Sequence, residues 1–143
     1  MKKKIFVEVI SIISIILFLY TVISKLAEYS VFREQIALSP ILEPFADVLT
    51  WLLPLVEFLI IILLLLPKWK LYGLYAACTL MVLFSMYILV LFKMDEKLPC
   101  SCGGIIEQLP RTQHLILNIG LALLQAIGIK FQKQIEQTLQ MNY

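Results

Sequence analysis

Two cysteines separated by a single residue, Cys100 and Cys102, are the residues in this chain best suited to chemistry. They lie in the stretch LPCSCGGIIEQLPRTQHLILN, residues 98–118, which also holds the only histidine, His114. A disulfide between positions i and i+2 closes a very small ring, and strained disulfides are easier to reduce than relaxed ones. The spacing therefore favours thiol–disulfide exchange over a permanent cross-link.

Other interpretations of the cysteine pair are open at this point. The two thiols could form a structural cross-link or stay unpaired. A metal site built from Cys100, Cys102 and His114 would supply three ligands, and their spacing matches no standard zinc pattern. Copper(I) would be the better candidate, because thiolates select it. The adjacent Gly103 and Gly104 permit unusual backbone angles and a close approach by a partner chain, which favours exchange.

One acidic residue, Glu57, lies near the middle of a long apolar run. If that run crosses a bilayer, a charged side chain there is expensive, and such acids are candidates for functional sites. Pro54 interrupts the backbone hydrogen bonds three residues earlier and could open a polar pocket. The alternative is a protonated or hydrogen-bonded carboxyl that only fixes helix packing. Candidate partners for Glu57 are Ser14, Thr21, Lys25, His114 and Asn118.

A polar stripe runs along the apolar segment that follows the cysteines. His114, Asn118 and Gln125 are spaced by four and then seven residues, so they share one face of a helix. In lipid this face must turn toward protein, where hydrogen bonds between helices are one explanation. Because His114 closely follows the cysteines, it could also lower a thiol pKa or transfer a proton. Cys78, in the middle of another apolar segment, is predicted to be a small apolar filler.

The elements that position these residues are predicted to be transmembrane helices. The chain is 61% hydrophobic and 15% charged, with a mean hydropathy of +0.91, which is outside the range of soluble domains. Its net charge of +2 is too small to indicate nucleic-acid binding. Apolar runs of about 20 residues span a bilayer, and spans must be helical to satisfy their backbone hydrogen bonds. We predict an all-α polytopic membrane protein, one domain over residues 1–143, with four spans at about 5–24, 48–66, 71–92 and 112–129.

Two further segments complete this prediction. The first apolar run follows three lysines but is too long for a signal peptide, so we expect a retained anchor. Between the first two spans, Leu26, Tyr29, Phe32 and Ile36 recur at helical spacing. They predict a short amphipathic helix on the membrane surface that could also roof a site between the helices.

Lysines and acidic residues divide between the two sides of a four-span path. Basic residues in short flanking segments stay on the cytoplasmic side. One side carries Lys2, Lys3, Lys4, Lys68, Lys70, Lys130 and Lys133. The other side holds the cysteines, together with most of the acidic residues. We therefore predict a bacterial inner-membrane protein with both termini cytoplasmic and the Cys-x-Cys loop extracytoplasmic, where disulfides persist.

The sequence resembles the MauE/DoxX-like family of redox-associated membrane proteins over nearly its whole length. The likeness rests on LYTVISKLAEYSVFREQIALSPIL, LLPLVEFLIIILLLL, CSCGG and TQHLILNIGLALL. Val22 departs from the pattern, because it stands where the family often has glycine. The resemblance implies a four-helix membrane protein that helps to form disulfides in periplasmic partners, and DoxX relatives are tied to quinone-linked oxidation.

These observations predict a membrane thiol–disulfide component in which Cys100, Cys102, His114 and Glu57 are the catalytic candidates. The cysteines would exchange with a periplasmic thioredoxin-like protein or an exported client. Quinone is the candidate electron acceptor, bound near Glu57, His114 and Asn118. The alternatives are a non-catalytic assembly subunit of a larger membrane complex and a copper-handling protein. Transport has thin support, because Glu57 lacks an evident basic partner and the chain lacks a repeated half.

Overall fold

The computed structural model describes residues 1–94 and 111–142, and the part of the chain that it describes is almost entirely helical. Four of its helices are long and apolar enough to cross a membrane. This confirms the predicted all-α polytopic class. The cysteine pair lies outside the described residues. The helices are α1 (Lys2–Ala27), α2 (Tyr29–Ala37), α3 (Ala46–Leu65), α4 (Lys70–Met94) and α5 (Arg111–Met141), with one 3-10 turn at Glu43–Phe45.

The inward faces of the helices pack around a core of apolar side chains. α4 packs along α5, and α1 packs against both α3 and α5. Many large apolar side chains on the outward faces stay exposed, as expected for surfaces that meet lipid. The buried core comprises Val7, Ile10, Phe18, Ile60, Ile61, Leu64, Leu74, Ala77, Leu80, Met81, Leu121 and Ala122.

α5 continues well beyond the predicted fourth span, which ended at residue 129. Residues 130–141 contain no glycine or proline, so nothing in the sequence ends the helix where the apolar run stops. The extension packs on the start of α1. The rings of Phe131 and Phe6 meet edge to face at 5.3 Å, and Lys3 Nζ donates a hydrogen bond of 2.8 Å to Gln134 Oε1.

The predicted amphipathic helix is confirmed as α2, and its apolar face is covered by α3. Phe32 and Ile36 are buried against Ala46, with further apolar side chains around them. Beside this apolar face, Arg33 Nε donates a hydrogen bond of 2.7 Å to Asp47 Oδ1 at the start of α3. This contact raises the pKa of the exposed Arg33 guanidinium. The guanidinium is therefore charged throughout the physiological pH range, and the contact adds no pH dependence there.

We call one end of the bundle the α2 end, because α2 lies there. Four of the long helices' ends meet at it. α1 finishes there at Ala27 and α3 begins there at Ala46. α4 also finishes at this end, at Met94, and α5 begins there at Arg111. In the sequence, the two cysteines stand between these two described helix ends, Met94 and Arg111. At the opposite end, Lys70 Nζ donates to Glu8 Oε1 at 2.6 Å.

Candidate functional site

The centre of the candidate site is a buried ion pair between Lys25 of α1 and Glu57 of α3. Each side chain is 1% exposed, and Lys25 Nζ donates a hydrogen bond to Glu57 Oε1. The second carboxylate oxygen, Oε2, lies 3.1 Å from the Thr21 hydroxyl, which can donate to it. Lys25 and Thr21 are thus the partners that Glu57 takes from the predicted candidates. The expectation that Glu57 lacks a matching basic residue is wrong.

The sequence places these groups together through helix periodicity. Thr21 and Lys25 are four residues apart, so they occupy the same face of α1, and that face packs on α3. Pro54 is buried inside α3, one turn before Glu57. Burying a single charge carries a penalty of several kcal/mol after relaxation. A lysine and a glutamate that face each other across two helices avoid leaving either charge alone.

Two aromatic rings enclose the ammonium group of Lys25. Its Nζ lies 5.4 Å from the ring centroid of Phe32 on α2 and 5.5 Å from that of Phe84 on α4. Cation–π attraction operates at these distances. α2 therefore roofs the ion pair, which was one of the roles predicted for the amphipathic segment. The pair is held by four elements: α1 and α3 supply the charges, and the rings come from α2 and α4.

A small polar cavity adjoins the ion pair. Its volume is about 20 Å³, which is the room that one buried water molecule needs. Glu57, His114 and Asn118 all line it, so the structure brings together the three residues predicted near a cofactor. Its remaining walls are Leu17, Phe18, Thr21, Lys25, Met81, Phe84 and Leu117. The lining thus combines polar side chains with apolar ones.

The cavity is lined by a buried hydrogen-bond donor, Asn118 Nδ2, that has no partner within the described chain, and by the ammonium group of Lys25. Lys25 carries three ammonium hydrogens, and Glu57 accepts one of them. Asn118 is 4% exposed, and its Nδ2 has no hydrogen-bond partner within the described chain. Buried donors of this kind are normally satisfied by protein, water or a ligand. The space beside them is therefore suited to an acceptor oxygen.

The third member of the polar stripe, Gln125, stands apart from the cavity. It is fully buried, and its Nε2 donates a hydrogen bond of 3.1 Å to Ser14 Oγ on α1. This contact is an interhelical hydrogen bond of the kind considered from the sequence. The face containing His114, Asn118 and Gln125 is buried as predicted, but the tertiary structure divides it into a cavity-lining part and a packing part.

We expect Ser14→Ala to destabilise the bundle by about 0.6–1.7 kcal/mol, the range found for hydrogen bonds between membrane helices. The substitution leaves Gln125 Nε2 buried without its acceptor, and Gln125 Oε1 already lacks a donor in the described chain. Unfolding followed by circular dichroism in detergent micelles measures the loss. Adding Gln125→Leu should restore most of it, since both polar groups are then gone. Equal stability of Ser14→Ala and the parent would contradict the assignment.

Lys25 is the residue whose importance the sequence understated. It stands four positions before the start of α2 and near the end of a span, where lysine usually extends its side chain to the membrane interface. Two features of the sequence together point to Lys25. It lies four residues after Thr21, on the same helix face, and an intramembrane acid such as Glu57 requires a cation as its partner. Either feature alone also fits a lysine that reaches water.

Of the three cysteines, the structure describes Cys78. Cys100 and Cys102 lie outside the described residues. Cys78 is partly buried, with its Sγ 3.5 Å from the carbonyl oxygen of Ala122, in keeping with a packing role. Within residues 1–94 and 111–142, no three histidine, cysteine or acidic side chains are grouped as metal ligands would be.

Comparisons with known proteins match the chain to one family. Residues 3–131 match the family model described as methylamine utilisation protein MauE, which spans most of the sequence. No curated protein and no solved structure matches the chain.

Proposed function

The chain belongs to the MauE family of membrane proteins, and from this premise we propose that it is an accessory thiol–disulfide redox component of the bacterial inner membrane. Cys100 and Cys102 form its exchanging pair. The observation that carries the proposal concerns the described residues that flank the cysteines in the sequence: Met94 at the end of α4 and Arg111 at the start of α5 are at the same bundle end as the Lys25–Glu57 site.

The proposed reaction transfers two electrons and two protons from a partner dithiol to the Cys100–Cys102 disulfide. A partner thiolate attacks one sulfur, the disulfide opens to a mixed disulfide, and the second partner thiol then releases the reduced pair. The partner is a periplasmic thioredoxin-like protein or an exported client. The reduced cysteine pair then passes two electrons and two protons to a quinone. The quinone becomes the hydroquinone, and the disulfide forms again.

The distribution of charge supports an extracytoplasmic position for the cysteines. In the proposed topology both termini are cytoplasmic, beside the lysine-rich segments, and the α2 end faces outward. That side of a bacterial inner membrane is the oxidising compartment in which a disulfide persists.

The buried polar cavity supports a role for its side chains in handling protons. His114 and Glu57 are the titratable groups that could accept and return protons during quinone reduction. Both line the cavity beside Asn118, on the α2-end half of the bundle. His114 also lies three residues after the start of α5, which directly follows the cysteine-containing segment.

Replacing both cysteines, Cys100→Ser with Cys102→Ser, should reduce the rate of disulfide formation in exported client proteins by about tenfold or more, because the exchanging sulfurs are gone. Alkylation trapping of exported proteins, followed by gel-shift analysis, measures their oxidation state. Cys78→Ser is the matched control and should leave the rate unchanged, since its thiol packs against α5.

Two results would overturn the proposal. The first is full client oxidation by the double variant, which would favour the alternative of a non-catalytic assembly subunit. That alternative draws on the broad apolar faces of the four spans, which could dock a larger membrane complex. The second is labelling of Cys100 and Cys102 by an impermeant maleimide only from the cytoplasmic side.

A further inference from the structure

An apolar groove lies between α2, α3 and α4 on the lipid-facing side of the candidate site. Its volume is about 270 Å³, near the lower end of the roughly 300–1,000 Å³ typical of small-molecule sites. Four of its residues, Leu80, Leu83, Phe84 and Tyr87, come from α4, and the two aromatic side chains among them offer surfaces for stacking. Facing them are Ile36 from α2, with Leu49 and Leu53 from α3.

Phe84 connects this groove to the buried ion pair. The same side chain lines the groove and the polar cavity. Its ring centroid is 5.5 Å from Lys25 Nζ. The apolar groove and the cavity that contains the ion pair are therefore neighbours that share one aromatic side chain.

The chemistry of the two spaces specifies a ligand. The cavity, at about 20 Å³, has room for one oxygen atom and offers donors from Lys25 and Asn118. The groove requires an apolar, flat body that can enter from lipid. A membrane quinone has both parts, since its ring bears carbonyl oxygens that accept hydrogen bonds and its tail is hydrocarbon.

We propose that the α2–α3–α4 groove binds the ring of an isoprenoid quinone, with one carbonyl oxygen in the polar cavity when Phe84 turns aside. This inference rests on the proposed redox function and identifies where its acceptor sits. Two-electron, two-proton reduction by the cysteine dithiol converts the quinone to the hydroquinone and restores the disulfide. Lys25 donates a hydrogen bond to the carbonyl oxygen and stabilises the negative charge that develops there during reduction.

The binding test compares two leucine-to-tryptophan variants on the same helix. Leu83→Trp fills the proposed groove, whereas Leu89→Trp fills a second apolar groove of about 320 Å³ between α4 and α5. The two leucines are 55% and 48% exposed, so both positions tolerate a larger side chain without disturbing the core. The probe is a benzoquinone with a ten-carbon tail, titrated into the full-length protein in lipid nanodiscs by isothermal calorimetry.

We expect Leu83→Trp to weaken binding of this probe by about tenfold or more, while Leu89→Trp stays within about threefold of the parent. Absence of quinone binding by the parent protein, or equal weakening in both variants, would overturn the proposal. So would selective weakening by Leu89→Trp, which would assign the ring to the other groove.

A further variant tests the polar end of the site. Lys25→Met combined with Glu57→Gln removes the ammonium donor without leaving a buried charge, and it should also weaken the probe by about tenfold. Unchanged affinity in this variant would overturn the assignment of the carbonyl oxygen to the cavity. Failure here is distinguishable from failure of the redox proposal: if the cysteines are still required for client oxidation, the acceptor site lies elsewhere.

Discussion

Lys25→Met is expected to lower the free energy of unfolding by about 3–5 kcal/mol, because it leaves the Glu57 carboxylate buried without its cation. Both side chains are 1% exposed, so bulk solvent does not reach the carboxylate that loses its partner. The change also removes the ammonium from between the rings of Phe32 and Phe84. Reversible unfolding in mixed micelles, followed by circular dichroism, measures the loss.

The control is the same substitution at a more exposed ion pair. Lys70 pairs with Glu8, whose side chain is 46% exposed. Water can solvate Glu8 after Lys70→Met, so that change should lower stability by only about 0.2–1 kcal/mol. Replacing both members of the buried pair, Lys25→Met with Glu57→Leu, should recover most of the first loss, since no unpaired charge is left. Equal losses for Lys25→Met and Lys70→Met would contradict the assigned burial.

Gly73→Ala is expected to destabilise the bundle by about 1–3 kcal/mol, because the added methyl group meets the backbone of the neighbouring helix. A Cβ on Gly73 would lie 2.9 Å from the backbone nitrogen of Leu64 and 3.0 Å from the carbonyl carbon of Leu63. Those atoms belong to α3, so they cannot move aside as a flexible side chain would. The same unfolding measurement reports the effect.

Gly120→Ala is the matched control on α5. A Cβ there meets nothing within 4 Å among the atoms of the structure. Alanine is favoured over glycine in a helix by up to about 1 kcal/mol, so this variant should be as stable as the parent or slightly more stable. If both glycine variants shifted stability in the same direction and by the same amount, close packing of α4 on α3 would not explain Gly73.

The four long apolar helices and the short helix α2 could be predicted from the sequence alone. A long apolar run has one structure available to it in lipid, because its backbone groups must bond within the segment. The spacing of Phe32 and Ile36 likewise predicted which face of α2 is buried, and both residues are in the core beside α3. The spacing of His114, Asn118 and Gln125 predicted that their shared face turns inward. Each of these features follows from the periodicity of a single helix.

The sequence by itself therefore determined the class, the spans and the identities of the polar residues that must find partners inside the bundle. Only the tertiary structure decided that Glu57 pairs with Lys25, because that choice depends on which faces of α1 and α3 meet. It likewise decided that Phe84 lines both the cavity beside the ion pair and an apolar groove. Spaces between helices are set by contacts between residues that are distant in the chain. These contacts cannot be predicted from the periodicity of a single helix.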